Sequence, residues 1–363
     1  MPRSTHYFRI ENSVKTLRFF HFFLLSYFFA ALCTLSPSTL AKDTGNTHSA
    51  LQAITLRIDN DIFAGSDRGY SNGINVGFLS QTVDSFQDSR LPSGYRRLNH
   101  GLRWLQPKGW DQYNMVLTVG HGIFTPGDWH TRELVKEDRP YAGVLVAGVT
   151  YNGRNENRMQ STGLSLGMVG PSALGEELQK GVHKLLGSET FRGWDNQLRD
   201  EVVFRLSTQR LRRLQFNPTG DDWQQDLILR TGGSLGNLVT DLNIGAEWRF
   251  GPELPNNFGS APQLPASENT APTRHMDYSR RLKLHGFIVT NIRGVLYDVT
   301  LDGNTWKNSH SVTRESLMTD LGIGVAGSYE HWRFAFAHYF RSREFEQQQE
   351  PPRLGSFSAW REF

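Results

Sequence analysis

A chain of 363 residues, 38% hydrophobic, is long enough for one large domain or two ordinary ones, and its single cysteine excludes a disulfide framework. The formal charge of +3 comes entirely from the first 41 residues, which hold four basic side chains and one acidic; the remainder carries 35 of each sign, so composition gives no support to a nucleic-acid partner.

In chain order, Arg3, Arg9, Lys15 and Arg18 precede the apolar run Phe19–Leu35, and Thr39-Leu40-Ala41 places small residues where a signal peptidase needs them. Residues 1–41 are therefore predicted to be a signal peptide and residues 42–363 one exported domain. The run is short for a membrane span and Pro37 follows it, which argues against an anchor, and Cys33 leaves with the signal. After Ala41 no window approaches 18 uninterrupted apolar residues, which leaves a soluble fold or a membrane β-barrel.

The rest reads as strands in which every second residue is apolar. Ile54, Leu56 and Ile58 mark the first, and Ile74, Val76 and Phe78 the second. Tyr113–Phe124, Tyr141–Tyr151, Gln160–Val169, Glu201–Arg210, Gln224–Leu235, Val239–Phe250, Arg281–Leu301, Glu315–Ser328, Glu330–Arg341 and Leu354–Phe363 follow. About twelve strands, an even number, with Gly, small and charged residues on one face and aliphatic residues on the other, predict an all-β fold: a transmembrane antiparallel β-barrel of the outer membrane. Aromatic residues near strand ends, Tyr141, Tyr151, Trp248, Phe250, Tyr329, Trp332, Tyr339 and Phe340, fit interfacial girdles, and the chain closes on Phe363. The long connections, among them Gly251–Arg280 with its prolines, are expected to face outward. One of them carries a short helix: Ser172–Leu186 spaces Leu174, Leu178, Val182 and Leu185 helically, with Gly170-Pro171 before it and Gly187 as a stop.

The polar density lies between the first two strands, at Asn60, Asp61, Asp67, Ser71 and Asn72. By composition this is a polar turn as readily as a site. Strict alternation puts Asn60 on the lipid side and Asp61 inward, so either a bulge changes the phase or the site straddles the wall; the second is preferred. His183 on the loop helix and Glu189 beyond Gly187 could pair if the chain reverses there, as a general base and the group that orients it.

Taken in order, Ile58-Asp59-Asn60-Asp61, Asp67-Arg68-Gly69-Tyr70-Ser71-Asn72-Gly73, Ile123-Phe124-Thr125-Pro126, Glu137-Asp138-Arg139-Pro140-Tyr141-Ala142-Gly143, Val169-Gly170-Pro171, His183-Lys184-Leu185-Leu186-Gly187-Ser188-Glu189 and Trp194-Asp195-Asn196-Gln197 resemble the outer-membrane lipid A deacylases, which remove the 3′-linked acyloxyacyl chain. The resemblance implies a twelve-stranded barrel with its active site between the outer rim and a loop helix. It implies catalytic roles for Asn60, Asp61, Ser71, His183 and Glu189; a further basic residue falls in Thr125–Pro140, with Arg132 the nearest candidate and no assignment made. The residue chemistry agrees with a Ca²⁺-dependent ester hydrolase: Asp61, Asn60 and Ser71 are oxygen donors of the kind calcium takes. His183 would deprotonate water, with Ser71 as nucleophile the second mechanism. The expected partners are lipid A or lipopolysaccharide as substrate and the surrounding outer-membrane lipids, with the protein a monomer whose site faces the outer leaflet. An outer-membrane phospholipase and a porin-like barrel are the competing readings.

Overall fold

The computed structural model describes residues 51–60, 69–186, 190–216, 223–261, 271–272 and 279–363. Twelve strands form a closed antiparallel barrel: β1 Leu51–Asn60, β2 Gly69–Ser80, β3 Gln112–Thr125, β4 Ala142–Arg154, β5 Arg158–Val169, β6 Glu201–Phe216, β7 Gln224–Leu235, β8 Val239–Gly251, β9 Lys283–Asp298, β10 Leu317–Tyr329, β11 Trp332–Arg341 and β12 Arg353–Glu362. Each pairs with its neighbours in sequence, and β1 closes on β12. Residues Ala50–Glu176 and Phe191–Phe363 form one compact unit; Glu177–Thr190 fall outside it and are described by themselves.

Alternation decides what faces where. On β8, Leu242 and Ile244 are 68% and 57% exposed, whereas Glu247 and Arg249 on the opposite face are wholly buried. Exposed leucines around buried charges invert the pattern of a protein in water and match a wall in lipid around a polar lumen. The lumen charges are paired: Asp226 accepts from Arg213 and Arg249, Glu247 from Arg230, and Glu344 from both Arg139 and Arg341. Arg57, Arg139, Arg230, Asp320, Arg341 and Glu344 line a cavity of about 240 Å³ in the lumen.

Strand parity divides the connections between two ends. Among the described residues outside the strands, 126–141, 170–176, 191–200, 236–238, 299–316 and 342–352 lie at one end, the rim, with the ends of β1 and β2 at Asn60 and Gly69; 81–111, 155–157, 252–261, 279–282 and 330–331 lie at the other, the base. The expectation that Gly251–Arg280 faces outward with the other long loops is thus corrected, because it joins β8 to β9 at the base. Its described part turns into the barrel. Phe258 is fully buried beneath the Arg154 guanidinium, 4.9 Å from its ring centroid, Arg154 Nη1 donates to the Asn256 carbonyl at 2.9 Å, and the Ser260 amide donates to Glu247 at 2.6 Å.

Two further expectations change. Besides the loop helix, a nine-residue helix α1 (Ser93–Gly101) lies at the base. It rests on the outside of the wall, where Phe86, Tyr95, Leu102 and Leu105 pack on Met115, Val149, Tyr151, Leu164 and Leu206. Asn99 fixes it, donating to the Phe86 carbonyl at 2.7 Å and accepting from the Tyr151 hydroxyl at 3.0 Å. Of the expected girdle residues, Tyr151 is therefore buried under α1, Tyr141 is buried beneath a rim loop, and Tyr339 points into the lumen; Trp248, Tyr329 and Phe340 stay exposed on the wall.

Candidate active site

Strand β1 keeps its register with both neighbours from Ala53 to Asn60. Arg57 and Asp59 therefore point into the lumen, where Arg57 Nε donates to Asp59 at 3.2 Å and Ser356 Oγ donates to the same carboxylate. Asn60 falls on the opposite, outward phase with Ile58. The irregularity lies on β2 instead: its register with β3 shifts between Tyr70 and Asn72, which leaves Ser71 as the bulged residue. Asn72 stands opposite Asn60, and its Oδ1 is buried with no hydrogen-bond partner among the described residues. An amide oxygen withheld from water and given no donor costs free energy, so this atom is open to a cation or a hydrogen-bond donor.

Asp61 and Glu189 lie outside the described residues. His183 sits half-buried in the last turn of the helix α2 (Gly175–Leu186), in the segment described by itself. Of the expected set, the structure thus brings Asn60 and Ser71 onto adjoining positions of one hairpin and gives His183 its helix.

The start of α2 is held on the outside of the wall. His121 shares the outward phase of β3 with Val119, and its Nε2 donates to the Ala173 carbonyl at 2.7 Å. Ala173 ends the turn Pro171–Ala173 that precedes α2, so the helix begins at Gly175 rather than at Ser172 as the spacing had suggested. Gly170 enters that turn at φ 108°, where a side chain would meet the Arg199 carbonyl carbon at 2.6 Å, so the chain uses glycine there. Asp200 fastens the turn by accepting from the Ser172 amide at 2.7 Å and hydroxyl at 2.9 Å. Gly143 on β4 and Gly175 meet backbone to backbone: a Cβ on Gly143 would lie 2.9 Å from Gly175 Cα. Gly143→Val should consequently lift the start of α2 at a cost of about 1–3 kcal/mol. Limited trypsinolysis of the folded barrel should then cut faster at Lys180 or Lys184, and unchanged cleavage would show that this contact does not hold the helix.

Beside the seat of α2, Ile123, Tyr141, Phe191 and Trp194 form a buried apolar cluster on the same outer face. Burial pushes the Tyr141 phenol up to about 12, so it stays protonated across the physiological range. Gly193 leaves room for that ring; a Cβ there would come within 2.6 Å of it. Asn196 donates to the Arg132 carbonyl at 2.8 Å, tying the 126–141 and 170–200 loops together, while the Arg132 side chain is exposed. Sequence reasoning missed His121, a histidine between two glycines on a lipid-facing phase, and did not single out Asn72 from the polar run.

Among the described residues no group of three His, Cys, Asp or Glu side chains is assembled for a metal. At the rim end of the outward face of the β1–β2 hairpin the described side-chain oxygens are the amides of Asn60 and Asn72, and Asn72 Oδ1 is a hard donor with no hydrogen-bond partner among the described residues. Calcium accepts amide and backbone carbonyl oxygens together with carboxylates, so the residues present fit that ion in kind.

A sequence model described as "Outer membrane protein LpxR" matches residues 25–363. Among solved structures, LpxR from Salmonella typhimurium is 18% identical, covers 86% of this chain and 100% of its own, and superposes with a TM-score of 0.68. The β domain of the Bordetella autotransporter BrkA, 11% identical over 86% of this chain and 100% of its own, superposes at 0.43. No curated protein matches the chain. The twelve-stranded barrel, its rim hairpin and the order of its loop motifs therefore stand together with a match over nearly the whole sequence: the chain belongs to the LpxR family of outer-membrane proteins, the lipid A deacylases.

Proposed function

We propose that the protein hydrolyses the 3′-linked acyloxyacyl ester of lipid A in a Ca²⁺-dependent reaction, and that the substrate reaches the site from the bilayer rather than through the lumen. One observation carries the route. Asn60 and Asn72 are on the outward phase of an unshifted hairpin register, on the face that the wall turns to lipid. Amides on that face serve a substrate whose acyl chains are already in the membrane. The lumen behind them is crossed by paired charges, which supports this enzymatic reading over a porin-like one.

Asn60, Asp61 and Ser71 would hold the calcium, with Asn72 Oδ1 as a further oxygen. Calcium bound there supplies positive charge to the oxyanion that develops when the ester carbonyl is attacked. His183 takes the proton from the water that adds to the carbonyl carbon and then gives it to the sugar oxygen as the acyl C–O bond breaks, which leaves a free carboxylic acid and a sugar hydroxyl. Glu189 orients the imidazole. In the second mechanism the Ser71 hydroxyl attacks first, and water releases the acyl group from it. The rim would face the outer leaflet, with the protein acting as a monomer.

Purified barrel in detergent should be incubated with lipid A and, separately, with phospholipid, each with added Ca²⁺ and with chelator, and the products read by mass spectrometry. The expected result is loss of one acyloxyacyl pair from lipid A, abolished by chelator and restored by Ca²⁺, with phospholipid left intact. Fatty-acid release from phospholipid alone would replace this reading by the phospholipase one, and an inert protein in both arms would end it.

A further inference from the structure

We propose that the outer wall at the base binds an anionic glycerophospholipid, whose phosphate is held by Arg158, Arg210 and Arg212 beside the helix α1. The inference rests on the barrel being embedded in a membrane and not on the deacylase reading.

Arg158 on β5 shares its phase with Leu164 and Leu166, and Arg210 and Arg212 on β6 share theirs with Phe204 and Leu206, so all three leave the wall toward lipid. They are exposed, and none has an ion-pair partner among the described residues. Arg158 and Arg212 are direct register partners on the same face. Two like charges placed opposite one another repel, and with apolar neighbours such as Leu229 beside Arg212 the repulsion is poorly screened. A phosphodiester between them turns the repulsion into two charge-assisted bonds, and guanidinium is the side chain best matched to a phosphate.

Helix α1 supplies the second wall. The Leu105 carbonyl accepts from Thr162 Oγ1, which fixes the end of this segment on β5. Along the strands, the pair Gln160–Arg210 lies one outward position below Thr162 and the pair Arg158–Arg212 two, roughly 7 and 13 Å away at the rise of a strand. Trp104, next to the anchored Leu105, is 64% exposed, and Arg97 and Arg103 on the same segment are exposed as well. An exposed indole between arginines, on the outside of a lipid-facing wall, matches a residue at headgroup depth. The chemistry is specific to an anionic diacyl lipid: cations for its phosphate, and Leu229 and the α1 flank for its chains.

The test is native mass spectrometry of the full barrel in detergent, with equal amounts of phosphatidylglycerol and phosphatidylethanolamine, followed by thermal unfolding with each lipid. Wild type should retain phosphatidylglycerol preferentially and show a larger rise in Tm with it. The Arg158→Gln/Arg212→Gln variant should lose that preference by roughly tenfold or more, at about fivefold per cation removed, and keep its heat-modifiable migration on a gel. Without any lipid, Arg158→Gln should unfold no earlier than wild type, because a repulsion has been removed. Equal retention of the two lipids by wild type would overturn the proposal, and needs no variant. Retention of the phosphatidylglycerol preference in the double variant would overturn it equally. Protection by soluble glycerol phosphate as strong as by the lipid would reduce the site to one for a free phosphate, which is also a failure.

Discussion

His183→Ala should lower lipid A deacylation by about three powers of ten while the barrel remains folded. The size of the effect follows from the proposed role, since a positioned base contributes about 10² to 10⁴. His121 on the outer wall is engaged with the Ala173 carbonyl, and His285 in the lumen with Ser260 Oγ at 2.7 Å. Asn60→Ala should fail differently. If Asn60 holds the proposed calcium, the variant loses metal affinity and its activity should return as Ca²⁺ is raised, whereas His183→Ala should not respond to the ion. Ser71→Ala separates the two mechanisms. If water attacks, it should resemble Asn60→Ala and be rescued in part by calcium; if Ser71 attacks, it should be dead at any calcium concentration, and hydroxylamine should trap an acyl group on wild type alone. A His183→Ala protein with near-normal turnover, its folded state verified by heat-modifiable migration on a gel, would remove the imidazole from the reaction altogether.

How much of this was legible in the sequence depends on whether the signal was periodic. The strands were, because a wall between lipid and a polar lumen imposes a period of two on every segment, and β8 shows it residue by residue from Asp241 to Arg249. The side of the barrel on which a loop emerges was also encoded, in strand parity rather than in composition. The prolines of 252–282 suggested an outward loop, while the count of strands places it at the base, where Phe258 enters the lumen. Tyr151 could not be placed by alternation alone. Its phase is outward, as a girdle residue requires, and only the packing of α1 over it shows that protein rather than lipid covers the ring. The helix itself, Ser93–Gly101, is polar on average, so its few apolar residues, although they share one face, do not stand out from a polar connection. At the rim, alternation placed Asn60 outward correctly, since no irregularity intervenes on β1; the bulge falls at Ser71, on the partner strand. The significance of Asn72 was not in the sequence at all, because it depends on an oxygen left without a donor once the hairpin has formed.

Glu344→Gln should destabilise the barrel by about 3 kcal/mol at pH 7, and by almost nothing at pH 2. Glu344 lies in the 342–352 connection at the rim and accepts from Arg139 Nη1 at 2.9 Å and Arg341 Nη1 at 2.7 Å. Arg139 also donates to Thr300 Oγ1 at 3.0 Å, on the short helix Val299–Asp302, so one carboxylate joins three rim connections across the lumen mouth. Burial alone would raise the Glu344 carboxyl, but the guanidiniums of Arg139, Arg341 and Arg293 outweigh it and hold the group at about 2 against an ordinary 4.5. A carboxyl depressed by folding contributes its full stability above its unfolded value and loses it as pH falls through the folded one. Wild type should therefore weaken between about pH 4.5 and 2, the window in which Glu344 takes up its proton. The glutamine variant, which already lacks the charge, should show a shallower decline there. At neutral pH its cost is that of leaving Arg139 and Arg341 buried without their shared anion, and removing one partner from a buried pair typically costs about 3–5 kcal/mol. Urea unfolding in detergent at pH 7 and at pH 2 to 3 measures both ends of this argument. Equal midpoints for wild type and Glu344→Gln at pH 7 would show that the rim does not depend on the charge, and a gap that persists undiminished into acid would show that the carboxylate's shape, not its ionisation, is what the arginines require.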